Sequence, residues 1–129
     1  TNKRVLNKSK IALTYWDQHF DNFIVSKGKI VGVLDFERIS ISSIDYALFL
    51  VRKMVSNPKK YASIKAEKYV KIEDYSNLME WYKKFYPALF HFDNIEKRLD
   101  FYSIERCLDD LYYFPKAKEL ITELLSYLK

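Results

Sequence analysis

Two β-branched runs, Phe23–Val25 and Ile30–Leu34, flank the link Ser26-Lys27-Gly28-Lys29, and the second run exits into Asp35-Phe36-Glu37. Apolar runs joined by a short link with a glycine make a β-hairpin, with Gly28 supplying the turn backbone. An isolated hairpin is marginally stable in water, so this one has to pack on something else. The chain beyond the hairpin has helical period. Glycine occurs only twice and proline three times, which leaves long stretches without a forced break. The expectation is an α+β, mainly α-helical fold: a loop, one hairpin, then about four helices.

The helical stripes can be placed. Ile44, Ala47, Leu48, Val51 and Val55 share one face, with Ser42 and Asp45 in a capping arrangement and an end near Asn57-Pro58. Lys59 to Ile72 has no firm period and reads as a loop or short helix. Tyr75, Leu78, Met79, Tyr82, Phe85 and Tyr86 make a second stripe, closed by Pro87. Asp93 is the expected N-cap of a third helix, buried along Ile95, Leu99, Tyr102, Leu108 and Leu111. Pro115 suits the first turn of a last helix carrying Leu120, Ile121, Leu124, Leu125 and Leu128. Aromatics make up 17% of the chain, enough to fill a core with large rings.

Charge and cysteine usage narrow the class. The net charge of +5 comes from lysines scattered among acids, a pattern of solvated faces without any nucleic-acid signature. Nucleic acid is therefore an unlikely partner. A single cysteine, Cys107, allows no internal disulfide, fits a reducing cytoplasmic setting and reads as a small packing residue. No apolar run is long enough to span a membrane.

Polar residues crowd just before the hairpin, in Leu13-Thr-Tyr-Trp-Asp17-Gln-His19-Phe-Asp21-Asn22. Asp17 and Asn22 stand as D-x-x-x-x-N. In kinase-type phosphoryl transfer this spacing has a mechanical reason: the Asp takes the proton of the accepting hydroxyl and the Asn turns its oxygen onto magnesium. A second carboxylate beyond the next hairpin completes the metal site, and here that is Asp35. One carboxylate and one amide suffice for magnesium when phosphates and water complete its shell. The pair alone is a weak signal; the order loop, strand, turn, strand, Asp strengthens it. Asp21 reads as solvent-facing, Glu37 as a surface residue, and Asp109 and Asp110 as a solvated helix face.

The same stretch resembles the catalytic core of the aminoglycoside phosphotransferase and choline kinase family. Asp17, His19 and Asn22 match its H-G-D-x-H-x-x-N motif. Gly28, Lys29, Ile30, Gly32, Val33, Leu34, Asp35 and Phe36 match its hairpin motif, and Asp45 and Ala47 its D-x-A. The likeness covers residues 11–55, with 56–129 as the helical part of a single domain. It implies a kinase-like C-terminal lobe that transfers the γ-phosphoryl group of ATP or GTP, with Mg2+, to a hydroxyl of an aminoglycoside-, choline- or sugar-like acceptor. By that likeness Asp17 is the catalytic base, Asn22 and Asp35 are the metal ligands, and Tyr15, His19 and Asp45 support the site.

Tyr15 and Trp16 stand where the family has His-Gly. Tyr15 is expected to brace the loop through its ring and hydroxyl, and Trp16 to set a large side chain beside the catalytic position. The 129 residues hold no Gly-rich phosphate loop and no Lys-bearing strand ahead of Asp17, so the N-terminal nucleotide-binding lobe is expected to be absent and the isolated chain inactive. The alternatives are a non-catalytic kinase-like remnant or interaction module and, more weakly, a basic module for anionic partners. An exposed lobe face is expected to be apolar and able to pair two chains.

Overall fold

The computed structural model describes residues 5, 6 and 9–127. They fall into two compact units: residues 9–91, and residues 92–127 with the described part of the N-terminal segment.

The first unit contains the expected hairpin. Strands β2 (Phe23–Ser26) and β3 (Lys29–Val33) pair antiparallel, with a register irregularity between Ile24 and Val25. Gly28 at the turn has φ 73°, where its missing Cβ is needed. The unit also holds a sheet that the sequence reading did not anticipate. Strand β1 (Ile11–Tyr15) pairs antiparallel with β4 (Ile39–Ser43), with Leu13 directly opposite Ile41. The expectation of one hairpin is thus corrected to two small antiparallel sheets.

The reason is an inverted pattern. Leu13 and Ile41 point to solvent, 71% and 79% exposed, whereas Thr14 is buried at 8%. Apolar-out and hydroxyl-in is not what alternation leads one to expect of a half-buried strand.

Helix α1 (Ala47–Ser56) ends just before Asn57-Pro58, as its sequence requires. Ala47, Leu48, Phe49, Leu50, Val51 and Met54 are all buried, so the helix is wrapped over more than one stripe. It packs against α2 (Glu73–Ser76) and α3 (Leu78–Phe85). These two were expected as one helix, and Asn77 separates them. Of their expected stripe Tyr75 and Leu78 are buried, while Phe85 and Tyr86 are more than 60% exposed. Residues 59–72 form a loop of short 3-10 turns.

The capping expectation at α1 is also corrected. Ser43, not Ser42, hydrogen-bonds the Asp45 carboxylate, and Asp45 lies in the 3-10 turn Ile44–Tyr46 ahead of α1. Asp45 is fully buried one turn ahead of α1. The Ser42 hydroxyl is buried without a partner among the described residues.

In the second unit α4 (Ile95–Tyr113) contacts α5 (Lys118–Ser126). The N-cap of α4 is Asn94 rather than Asp93, in the left-handed region at φ 56°. Leu99, Tyr102 and Cys107 are buried as expected, but Leu108 is 55% exposed. Arg98 is buried with them. It donates to the Val5 carbonyl at 2.7 Å and to the Tyr102 hydroxyl at 2.9 Å, with Phe92 under its guanidinium. Asp109 and Asp110 pair with Arg106. Pro115 lies in the turn before α5 rather than in its first turn, and Leu128 lies outside the described residues. Among the described residues no helix is long and apolar enough to cross a membrane.

Leu48 has no exposed surface, so truncating it leaves a cavity under α1. Leu48→Ala is expected to lower the unfolding free energy by about 2–5 kcal/mol, read as a fall in urea midpoint with little change in slope.

Candidate active site

The polar stretch before the hairpin folds back on itself. After β1 the backbone N of Trp16 donates to the carbonyl of Arg38, the residue before β4, at 3.3 Å. The chain then leaves the sheet and closes with a 3-10 turn over Phe20–Asn22. Asn22 holds that closure twice. Its backbone N donates to the His19 carbonyl at 3.0 Å, and its side-chain Nδ2 to the Asp17 carbonyl at 3.0 Å. Committing the amide nitrogen to Asp17 leaves the amide oxygen as the atom able to meet a cation.

Asp35 reaches the same place from β3. The residue before it, Leu34, is held at both ends. Its N donates to the Asn22 carbonyl at 2.7 Å, and its carbonyl accepts the Tyr15 hydroxyl at 3.1 Å. Asp35 itself takes φ 57°, ψ 70°, a left-handed conformation that costs energy in a residue with a Cβ. Asp17, His19, Asn22 and Asp35 thereby line one shallow pocket of about 300 Å³. The expected base and both expected metal ligands are brought together.

His19 is a bracing residue here. Its Nδ1 donates to the Tyr61 carbonyl at 2.8 Å, its ring stacks on Tyr61 at 5.6 Å, and its Nε2 lies 3.2 Å from Asp17 Oδ1. Tyr15 braces from the strand. Burial raises its hydroxyl pKa; an Asn22 hydrogen bond opposes the rise, and the nearby charges of Asp17 and Asp35 add to it. Asp45 supports the fold from its buried place ahead of α1 rather than lining the pocket. Glu37 is exposed and does not line it either.

Two expectations change, and that for Asp21 is extended. Trp16 does not crowd the acidic pocket. It packs against Tyr46 and Phe49, with the Arg38 guanidinium 5.3 Å from its ring centre. Asp21 is exposed yet engaged, accepting from the Ser63 backbone at 2.9 Å. The aromatic stripe expected to fill the core partly lines a second, open cleft of about 540 Å³, where Trp81, Phe85 and Tyr86 face Leu13 and Tyr15.

The sequence reading missed one whole wall of the acidic pocket. Lys60, Tyr61, Ala62 and Ser63 line it, from the loop after α1. That loop has no period to betray it, and its link to the site runs through backbone atoms.

Among the described residues no group of three or more His, Cys, Asp or Glu is arranged to hold a metal ion alone. The donor set of Asn22 and Asp35 fits a hard cation that brings phosphate and water with it, not a cage built from protein ligands. Comparison with known proteins finds no matching family model, no similar curated protein and no similar solved structure.

The Tyr15 hydroxyl carries a pH signature. Its folded pKa lies above the ordinary value of 10.0, so its contribution to stability is whole below that value and is lost as pH rises through the folded pKa. Tyr15→Phe is expected to cost about 0.5–1.5 kcal/mol at neutral pH and to flatten the fall of stability above pH 10, read in denaturant melts from pH 7 to 11.

Proposed function

We propose that this chain is the C-terminal lobe of a small-molecule kinase. It moves the γ-phosphoryl group of a magnesium-bound nucleoside triphosphate to a hydroxyl of an aminoglycoside-, choline- or sugar-like acceptor. One observation carries the reading: a single pocket is lined by Asp17, Asn22 and Asp35, with Leu34 pinned on both sides just before Asp35. The pinning of Leu34 fixes where the left-handed turn at Asp35 begins.

In this reading the Asp17 carboxylate takes the proton of the acceptor hydroxyl. The freed oxygen forms its bond to the γ-phosphorus as the bond from phosphorus to the bridging oxygen breaks, and the diphosphate leaves. His19 holds Asp17 in place from the side of Tyr61. The oxygens of Asn22 and Asp35 would hold the ion. Magnesium, when bound, neutralises charge on the phosphate oxygens. Most of the rate gain comes from positioning and charge, since this transfer asks for little covalent help. The nucleotide clamp is supplied by a further lobe.

The second reading, an interaction module without catalysis, has one observation in its favour: the exposed Leu13–Ile41 pair on the outer face of the β1–β4 sheet. Large exposed apolar patches mark contact surfaces.

Two measurements separate them. Mn2+ titration followed by electron paramagnetic resonance, with ATP present, is expected to show binding that Asn22→Ala and Asp35→Ala each abolish. Binding unchanged in both variants sinks the metal assignment. In a chain completed by its nucleotide-binding lobe, Asp17→Ala is expected to lower turnover by about 10²–10⁴-fold, whereas the isolated 129 residues turn over negligibly. An interaction module shows neither metal dependence nor turnover.

A further inference from the structure

The loop after α1 is docked on the catalytic loop at three points. The Tyr61 carbonyl receives His19 Nδ1 at 2.8 Å, the two rings stack, and the Ser63 backbone donates to Asp21 Oδ2 at 2.9 Å. Inside it, the 3-10 turn Pro58–Tyr61 fixes the backbone of Lys60, whose N bonds the Asn57 carbonyl at 3.2 Å, and Pro58 is buried beneath it. The side chain of Lys60 is exposed.

Lys60 is, among the described residues, the one lysine or arginine lining the acidic pocket. Three carboxylates line it too: Asp17, Asp21 and Asp35. Two of them already have partners, Asp17 in His19 and Asp21 in the Ser63 amide. No ion pair joins Lys60 to any of the three among the described contacts. A lysine held at the rim of an acidic pocket and left unpaired is available to an anion that enters it.

We propose that Lys60 is the phosphate-contacting cation of this site. The inference rests on the kinase reading and deepens it. Three carboxylates against one divalent ion leave the pocket with an excess negative charge, which repels a polyphosphate. One lysine cancels that excess, and its three donors reach phosphate oxygens as a point charge without the planar match an arginine needs. The docking of residues 58–63 on His19 and Asp21 holds the backbone that carries this lysine beside the catalytic loop.

The probe is inorganic tripolyphosphate with Mg2+, which carries the phosphate chemistry without a base or sugar. Isothermal titration of the chain at low ionic strength is expected to show binding that falls about tenfold in Lys60→Ala. Lys60→Arg keeps most of it. Lys59→Ala, one residue away but outside the pocket lining, leaves it unchanged. Mn2+ binding without phosphate stays as in the wild type in Lys60→Ala, because Asn22 and Asp35 are intact. Equal losses in Lys59→Ala and Lys60→Ala, or none in Lys60→Ala, overturn the assignment. Binding that depends on Asn22 and Asp35 but not on Lys60 removes only Lys60 and leaves the kinase reading standing. A wild-type chain that does not bind magnesium tripolyphosphate overturns the Lys60 assignment, and if Mn2+ binding with ATP is absent as well, the metal assignment of the kinase reading falls with it.

Discussion

The candidate site depends on how Leu34 is held. One backbone amide and one carbonyl of this residue tie three parts of the chain together. The Asn22 carbonyl at the end of the polar loop accepts from the amide, and the Tyr15 hydroxyl from β1 donates to the carbonyl. Both bonds lie one residue before Asp35, so they set where the strand stops and where its backbone turns left-handed. A carboxylate reached through a strained turn needs such anchors, because strain persists only where the surrounding contacts outweigh it. The pocket is therefore a product of strand ends and their carbonyls more than of the side chains that line it.

A similar arrangement governs the histidine. His19 contacts backbone on one nitrogen and the Asp17 carboxylate on the other, and Tyr61 covers its ring. These contacts restrict the orientation of the Asp17 carboxylate. The loop carrying Tyr61 also carries Lys60. The contact to His19 and the Lys60 side of the pocket thus come from one short segment, which follows α1 and meets the polar loop before the hairpin.

Much of this was legible in the chain. The β-branched runs around Gly28 locate the hairpin, because a turn with positive φ needs a residue without Cβ. Asn57-Pro58 ends α1, since proline cannot continue a helix and biases the residue before it. Asp17, Asn22 and Asp35 could be named from spacing and from the order of elements around them. The β1–β4 sheet could not. Its partners are far apart in sequence, and its apolar side chains face out, so neither local period nor burial pattern announces it. The break at Asn77 and the exposed Phe85 and Tyr86 were equally hidden, since an amphipathic stripe states which face is apolar and not whether anything covers it.

The sequence by itself determined the class of fold, the hairpin, the end of the first helix and the polar residue types gathered around the hairpin. These depend on local backbone preference and on spacing along the chain, which a single sequence states directly. Only the tertiary structure decided that Trp16 turns towards Tyr46 and Phe49, that Ser43 rather than Ser42 meets Asp45, and that residues 60–63 wall the pocket. The turn of Trp16 rests on ring contacts between segments distant in sequence, the choice of Ser43 on the local backbone path into α1, and the wall of residues 60–63 on backbone carbonyls and amides that every residue possesses. Such groups carry no signature in residue identity, so their pairing appears only when the chain is folded.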